Sequence, residues 1–387
     1  MISKKVFVGV SGGVDSAVSA FLLKKAGYDV TGVYIKVWQP DWIECNWREE
    51  RRDAMRVCAS LDIPFLEIDF VKEYKKGVID YMISEYISGR TPNPDVMCNR
   101  EVKFGAFWDW ARKNEAQYIA TGHYADIQIV KDNLNKISEK YRLITSKDKM
   151  KDQTYFLWTL RNDELSHILF PVGRMTKEEV RNIANRAKLP NATKKDSQGI
   201  CFIGKIDVKE FLRQYIEREI LENNRGDNQY IKSIEKSISK GKVLDTEGKV
   251  IGHHPGSLFF TMGEAKGFTI TKKTNKDSKY YVIKKDIKAN TITVSQNKLI
   301  QIENGSTINL IKLNLINDVR ENEKVMVRTR YRQTLQEGII KDIDKERKTA
   351  TLSIDKPIDI PTSGQSAVLY REIAVDIIEC LGGGIIG

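Results

Sequence analysis

The stretch that most constrains the fold is Val6–Lys25, VFVGVSGGVDSAVSAFLLKK. The β-branched run Val6–Val10 reads as a short buried strand, Ser11-Gly12-Gly13 turns the chain, and apolar residues at helical spacing follow. A strand that feeds a helix through so short a turn points to a parallel α/β sheet. Two adjacent glycines permit φ > 0 and a close approach of backbone to ligand. The N–H groups of such a turn, at the positive end of the next helix, form an anion cradle. Ser11 and Ser16 can add hydroxyl donors, and Asp15 can cap the helix or help hold a divalent cation. A Walker A loop needs Gly-Lys-Ser/Thr and a dinucleotide fingerprint needs G-x-G-x-x-G; both are missing here. A plain strand–helix turn with an Asp cap would explain one glycine, but not all six positions from Ser11 to Ser16.

Further strand signals fall at Val30–Val37, Phe65–Phe70 and Tyr118–Thr121, with a helical pattern at Glu49–Leu61 between them. This β-α-β-α order predicts a doubly wound parallel sheet over residues 1–204, with ligands at the edge where the strands end. Thr176-Lys-Glu-Glu179 is a capping box for a helix to about Lys188, and Asp207-Val-Lys-Glu210 opens another to about Leu221. Asn223–Ser239 reads as a polar surface loop or a helix with exposed faces. The texture then changes to short alternating segments separated by Gly, Asn and Asp. Gly241–Gly252 predicts a hairpin turning at Glu247-Gly248. The expected division is therefore an α/β domain over 1–204, a small central domain over 205–280 and a β-barrel over 281–387.

The 387 residues carry a net charge of +11. The excess is five over residues 1–204 (32 basic, 27 acidic) and six over the rest (31 basic, 25 acidic), so it is spread over the chain. A spread positive field suits a polyanion such as RNA without requiring one. No run approaches the roughly 20 apolar residues of a membrane helix. The strand signal beginning at Val6 leaves no room for a leader, which predicts a cytoplasmic protein with no membrane partner. The five cysteines, Cys45, Cys58, Cys98, Cys201 and Cys380, are odd in number and contain no CxxC pair. That argues against a disulfide framework or a zinc site, and the adjacent His253 and His254 do not change this.

A single cysteine is ordinarily a small buried hydrophobe. Cys58 fits that description, since Ala54, Val57, Cys58 and Leu61 share one helical face. Cys45 and Cys380 receive no role. Cys98 and Cys201 differ because each sits in a polar loop. In GRTPNPDVMCNREVKFG (Gly89–Gly105), Pro92 and Pro94 are expected to stiffen the chain and preclude a regular helix, aiming Asn93, Asp95 and Cys98. Arg100 and Lys103 follow the thiol and could favour its ionisation. In KKDSQGICFIG (Lys194–Gly204), glycines flank Cys201, which predicts a loop able to move. On the residues alone, burial and catalysis both stay open for these two thiols.

The Ser11–Ser16 turn resembles the PP-loop, S-G-G-x-D-S, of the N-type ATP pyrophosphatases (adenine nucleotide alpha hydrolase-like), which cleave ATP between the α and β phosphates and adenylate a substrate oxygen. VGVSGGVDS, RTPNPDVMCNREVKF, ATGHYADI, KDQTYFL, KKDSQGICFIG, RTRYRQ and GQSAVLY together resemble the tRNA-specific 2-thiouridylase family across nearly the whole chain. The resemblance implies sulfur transfer to C2 of the wobble uridine of tRNA, using ATP with Mg²⁺ and a sulfur-donor protein, either a cysteine desulfurase or a sulfur-relay carrier. It implies that Gly9, Val10, Ser11, Gly12, Gly13, Val14, Asp15 and Ser16 hold ATP, that Ile35 contacts the adenine and that Gly122 borders the nucleotide. Asn93, Pro94 and Asp95 would meet the target base, with Asp95 a possible acid or base. Cys201 would carry a persulfide and Cys98 would be the nucleophile. His123, Lys151, Asp152, Gln153, Arg330, Tyr331 and Gln365 would touch tRNA.

The chemistry agrees with the residues. An adenylated oxygen is a good leaving group and a persulfide is a good nucleophile at neutral pH. Whether the persulfide attacks directly or Cys98 first liberates sulfide stays open. In KVMVRTRYR, strand alternation predicts Arg328, Arg330 and Arg332 on one face, with Val325, Val327 and Tyr331 on the other. Phosphate contacts there would weaken with salt, and chemistry on the wobble base would require it to be flipped out. The chain departs from the family at Gly263-Glu264-Ala265-Lys266-Gly267, where Gly-Gln-Arg-x-Gly is usual. Two other readings remain: a PP-loop amide ligase, which needs neither thiol, and a non-enzymatic ATP- and RNA-binding module.

Overall fold

The computed structural model describes residues 4–42, 47–130, 140–196, 207–221, 229–272, 278–297, 306–354 and 361–387. β1 (Lys5–Gly9) is the middle strand of a five-stranded parallel sheet. On one side of it lie β2 (Asp29–Lys36) and then β3 (Phe65–Asp69). On the other lie β4 (Tyr118–Ala120) and then Ile168–Leu169. Val6, the first buried residue of β1, pairs with Val30 on one flank and Tyr118 on the other. Val6, Phe7 and Val8 are all buried, as expected of a strand covered on both faces. Strand order reverses between β1 and β4, and the Ser11–Ser16 turn emerges there, at the crevice that open α/β sheets use for ligands.

α1 (Val14–Lys25) follows the turn, and α2 (Trp47–Ser60) packs Ala54, Val57 and Cys58 inward as the sequence predicts. Burial pushes the Cys58 thiol up to about 11, which suits a structural cysteine. Residues 71–87 and 94–113 form two helices, α3 and α4, each carrying a stretch of wide π turns, at Lys75–Asp80 and at Cys98–Ala106. The expectation that Pro92 and Pro94 exclude a helix here is corrected. Pro94 is the first residue of α4, where no N–H is needed, and Asn93 caps it by accepting from Val96 N at 3.3 Å. Thr176 and Glu179 form the predicted capping box at Lys177–Arg186, and Asp207 caps the helix from Val208.

The central sheet contains Gly241–Leu244 and Val250–His254, the predicted hairpin with Gly248 in its turn, and also Tyr281–Asp286 and Thr291–Ser295. The expected break at 280/281 therefore falls inside this sheet, because Thr291–Thr293 pairs with Lys242–Leu244. Gln229–Ile238 is helical, with Ile234, Ser237 and Ile238 buried.

The C-terminal sheet closes through pairing of Ser306–Leu315 with Ile377–Ile386. A hairpin from the first domain, Ala125–Val130 with Lys140–Thr145, joins the same sheet through Leu143 and Ile144 opposite Cys380 and Glu379. One apolar core runs from Phe7 past Cys98 and Tyr155 to Phe211, Tyr370 and Cys380. Among the described residues no helix is long and apolar enough to cross a membrane.

Candidate active site

Gly12 adopts φ +73° and backs onto α2. A Cβ there would lie 2.7 Å from the Glu50 carbonyl oxygen, so close packing as well as backbone conformation demands glycine. Gly13 is the N-cap residue, so Asp15 is not the cap. Ser11 N donates to Ser16 Oγ at 3.3 Å, Ser16 Oγ donates to the Gly13 carbonyl at 3.1 Å, and Asn191 Nδ2 holds the Gly12 carbonyl at 3.0 Å. The turn is thus closed by two bonds of its own and held from outside by Asn191. Beside it a cavity of about 200 Å³ is lined by Ile35, Val37, Trp38, Trp47 and Glu50. Glu50, whose carbonyl oxygen packs behind Gly12, also lines this cavity.

Asp15 is tied into a charged network. Lys177 Nζ reaches its two carboxylate oxygens at 2.7 and 2.9 Å, and Tyr124 Oη donates to it at 2.9 Å. The same Lys177 Nζ lies 2.8 Å from Asp196 Oδ1. Lys151 Nζ reaches Asp196 Oδ2 at 2.6 Å and Arg181 Nη2 reaches Oδ1 at 2.9 Å. Burial alone would raise the Asp196 pKa, but the bonds from Lys151 and Lys177 outweigh it and hold the carboxyl down to about 2.

The loop after β4 presses on the start of α1. A Cβ at Gly122 would sit 2.6 Å from Ser16 N. His123 is buried between Phe104 of α4 and Phe170, with Nδ1 2.7 Å from Thr121 Oγ1. Burial first, and the Lys103 charge second, hold its imidazole well below 6.5, so it is neutral. Gln153 Oε1 accepts from Tyr124 N at 2.9 Å, and Asn99 Nδ2 donates to the Phe156 carbonyl at 3.0 Å. These links connect the turn to Cys98, which is fully buried near the start of α4. Arg100 pairs with Glu101 at 3.1 Å.

The barrel closes the other side. Gln365 Nε2 donates to the carbonyls of Thr91 and Pro92 at 2.9 and 3.2 Å, just before Asn93, Pro94 and Asp95. Tyr331 packs on Phe156, ring centroids 4.5 Å apart, and Tyr155 Oη donates to the Ser366 carbonyl at 3.1 Å. The predicted row of three arginines is corrected. The strand ends at Arg328 because Gln333 Oε1 captures Thr329 N and Arg330 N in a turn. Arg328 then points inward to Asp152 at 2.9 Å, Arg330 Nη2 donates to the Met262 carbonyl at 3.0 Å, and Arg332 lies over its neighbour Tyr331. Asp152 is buried and also accepts from Ser146 N and Thr154 Oγ1.

The structure thus brings Ser11–Ser16, Gly122, His123, Lys151–Gln153, Asn93–Cys98, Arg330, Tyr331 and Gln365 into one connected region. Cys201 and Cys45 lie outside the described residues. Sequence reasoning missed Lys177, Asp196 and Tyr124. Lys177 stood inside a capping box that was read only as a helix start.

Three family models match the chain in order: tRNA methyl transferase HUP domain over residues 4–205, tRNA methyl transferase PRC-barrel domain over 228–296, and aminomethyltransferase beta-barrel domain over 306–386. The tRNA-specific 2-thiouridylase MnmA 1 of Geobacillus kaustophilus is 40% identical over 390 residues, covering 100% of this chain and 96% of its own. The chain belongs to the tRNA-specific 2-thiouridylase family. Members from Flavobacterium johnsoniae (38% identical, 99% of this chain and 100% of that one) and a Shewanella strain (39%, 99% and 96%) are similar over the same span. Against the usual 2-thiouridylase motif, the departure at Gly263–Gly267 has a local account. Glu264 pairs with Lys209 of the helix that links the first two domains, and its Oε2 accepts from Thr261 N at 3.2 Å. The segment's carboxylate is spent on internal contacts, beside the Arg330 bond to Met262.

Proposed function

We propose that the chain is an ATP-dependent sulfurtransferase that thiolates C2 of the wobble uridine of tRNA. The observation that carries this is the short path from the Ser11–Ser16 turn through Gly122, His123 and Phe104 to the helix bearing Cys98. The backbone N–H groups of the turn hold the ATP phosphates, and the cavity beside Ile35 takes the adenine. Mg²⁺ would enter with the nucleotide, bound to its phosphates.

The uridine O2 attacks the α-phosphorus and pyrophosphate leaves, joining AMP to O2 and activating C2. The terminal sulfur of a Cys201 persulfide, loaded by a sulfur-donor protein, attacks C2, and AMP departs with the C2–O bond. Cys98 thiolate then attacks the Cys201 sulfur. The sulfur–sulfur bond breaks toward the base, leaving 2-thiouridine and a Cys98–Cys201 disulfide that an external dithiol reduces. If Cys98 acts first, it releases hydrosulfide, which attacks C2, and the same disulfide results. Either route requires Cys98 to leave its buried position, and the wobble base must be extruded beside Asn93 and Asp95.

The test is incubation with tRNA, ATP, Mg²⁺, cysteine and a cysteine desulfurase, followed by mass analysis of the nucleosides. One oxygen-to-sulfur exchange on uridine is expected, and its loss in Cys98→Ser and in Cys201→Ser. Full activity in both variants would sink the reading.

A further inference from the structure

The Asp15–Lys177–Asp196 network is dense in charge of both signs, with the Asp148 carboxylate beside it accepting from Lys151 N at 3.2 Å and Lys177 N at 3.0 Å. Lys151, Lys177 and Arg181 bring three cations against Asp15 and Asp196. All three converge on one carboxylate, Asp196, which receives them on both oxygens. Several cationic donors closing around two oxygens of one anion is also the geometry that seats a phosphate. The cluster is open to solvent: Asp196, Lys151 and Arg181 each keep about a third of their side-chain surface exposed, while Lys177 is 14% exposed. Its link to Asp15 places it against the first turn of α1, where the turn's N–H groups and the helix end add positive potential.

We propose that Lys151, Lys177 and Arg181 are the seat of the β,γ-phosphates of ATP and of the leaving pyrophosphate, and that Asp196 occupies this seat as an internal anion when no nucleotide is bound. The proposal rests on the ATP-cleaving reading above and deepens it. Lys177 shifts from Asp196 to the phosphates while still anchored on Asp15. Lys151, which the resemblance assigns to tRNA, serves the nucleotide instead. No bond is made or broken in the exchange; one carboxylate leaves and one phosphate oxygen enters. Asp196 stays ionised at neutral pH, so the competition is present under working conditions. It lowers the apparent phosphate affinity by the fraction of molecules in which the seat is free.

Titration calorimetry of the full chain with inorganic pyrophosphate, with a non-hydrolysable ATP analogue and with AMP tests this. Asp196→Asn, which keeps the shape but loses the charge, is expected to bind pyrophosphate and the analogue about tenfold more tightly and AMP unchanged. Lys177→Ala is expected to weaken pyrophosphate ten- to hundredfold and Lys151→Ala about tenfold, again sparing AMP. Circular dichroism verifies that each variant is folded. Weaker binding in Asp196→Asn would make this aspartate a nucleotide ligand and overturn the competition. Unchanged pyrophosphate affinity in Lys177→Ala and Lys151→Ala, with AMP still bound, would overturn the seat while leaving the ATP reading intact. Absence of all three ligands from the unaltered protein would overturn both.

Discussion

Removing the Asp152 carboxylate separates a structural role from an RNA contact. Asp152 is 2% exposed and accepts from Ser146 N at 3.1 Å, Thr154 Oγ1 at 2.9 Å and Arg328 Nη1 at 2.9 Å. Arg328 is 14% exposed, its guanidinium 5.4 Å from the Tyr370 ring centroid. Burial raises the Asp152 pKa more than Ser146 and Arg328 lower it, so the net position is above the usual carboxylate range. Ionising this group is therefore a cost the fold carries, met by its partners. Asp152→Ala leaves a guanidinium in the interior and is expected to cost about 3–5 kcal/mol. Asp152→Ala with Arg328→Met removes both charges, and the double variant should lose about 2–3 kcal/mol less than the two single losses added together. Arg328→Met alone should recover stability as pH falls. Its stranded carboxylate has a folded pKa above the unfolded value, so the penalty is full above the folded pKa and fades as pH drops through it. The assay is urea unfolding followed by tryptophan fluorescence and circular dichroism; Trp158, bonded to Ser366 Oγ at 3.0 Å, reports the same junction. A loss below 1 kcal/mol in Asp152→Ala, or single effects that simply add, would refute the reasoning and return Asp152 to the RNA surface.

Gly122→Ala would force a Cβ against the Ser16 backbone nitrogen, at a cost of about 1–3 kcal/mol in local strain, and should raise the KM for ATP about tenfold or more with a small change in melting; an unchanged KM would detach this loop from the nucleotide. Gln365→Ala frees the Thr91 and Pro92 carbonyls ahead of Asn93, so kcat should fall about tenfold while the KM for tRNA changes less than twofold; the reverse split would make Gln365 an RNA contact. His123 and His254 are both held below 6.5, chiefly by burial, His254 at about 4. The folded state binds these protons less readily than the unfolded chain, so stability should be full above pH 6.5 and decline as pH falls, with the His254 share spent by about pH 4. His254→Gln should flatten the urea midpoint between pH 7 and 5, and an unaltered slope would count against this assignment.

Much of the first domain was legible because its signals are local. The Ser11–Ser16 turn, the strand β1 before it and the Thr176–Glu179 capping box each lie within a few residues of chain. Asn93-Pro94 also carried a local signal, a cap followed by a first-turn proline, but proline was weighed there only as a helix breaker. Other features leave no such trace. The Lys177 bonds to Asp15 span 162 positions, and Arg328 meets Asp152 across 176. Alternation placed three arginines on one face because nothing nearby announces that Gln333 will end the strand. The boundary at 280/281 failed for the same reason: Thr291–Thr293 pairs in parallel with Lys242–Leu244, and a texture change in the sequence cannot reveal a partner nearly fifty residues away.

The strand Ile377–Ile386 has a consequence for how such a molecule can be taken apart. Its second half closes the barrel against Ser306–Leu315, while Glu379 and Cys380 hold the hairpin that issues from the parallel sheet. The C-terminal module is therefore stitched to the first rather than strung behind it. Exchanging this module between relatives would succeed only if the 125–145 hairpin travelled with it, since otherwise a bare strand edge would be left on each side of the cut.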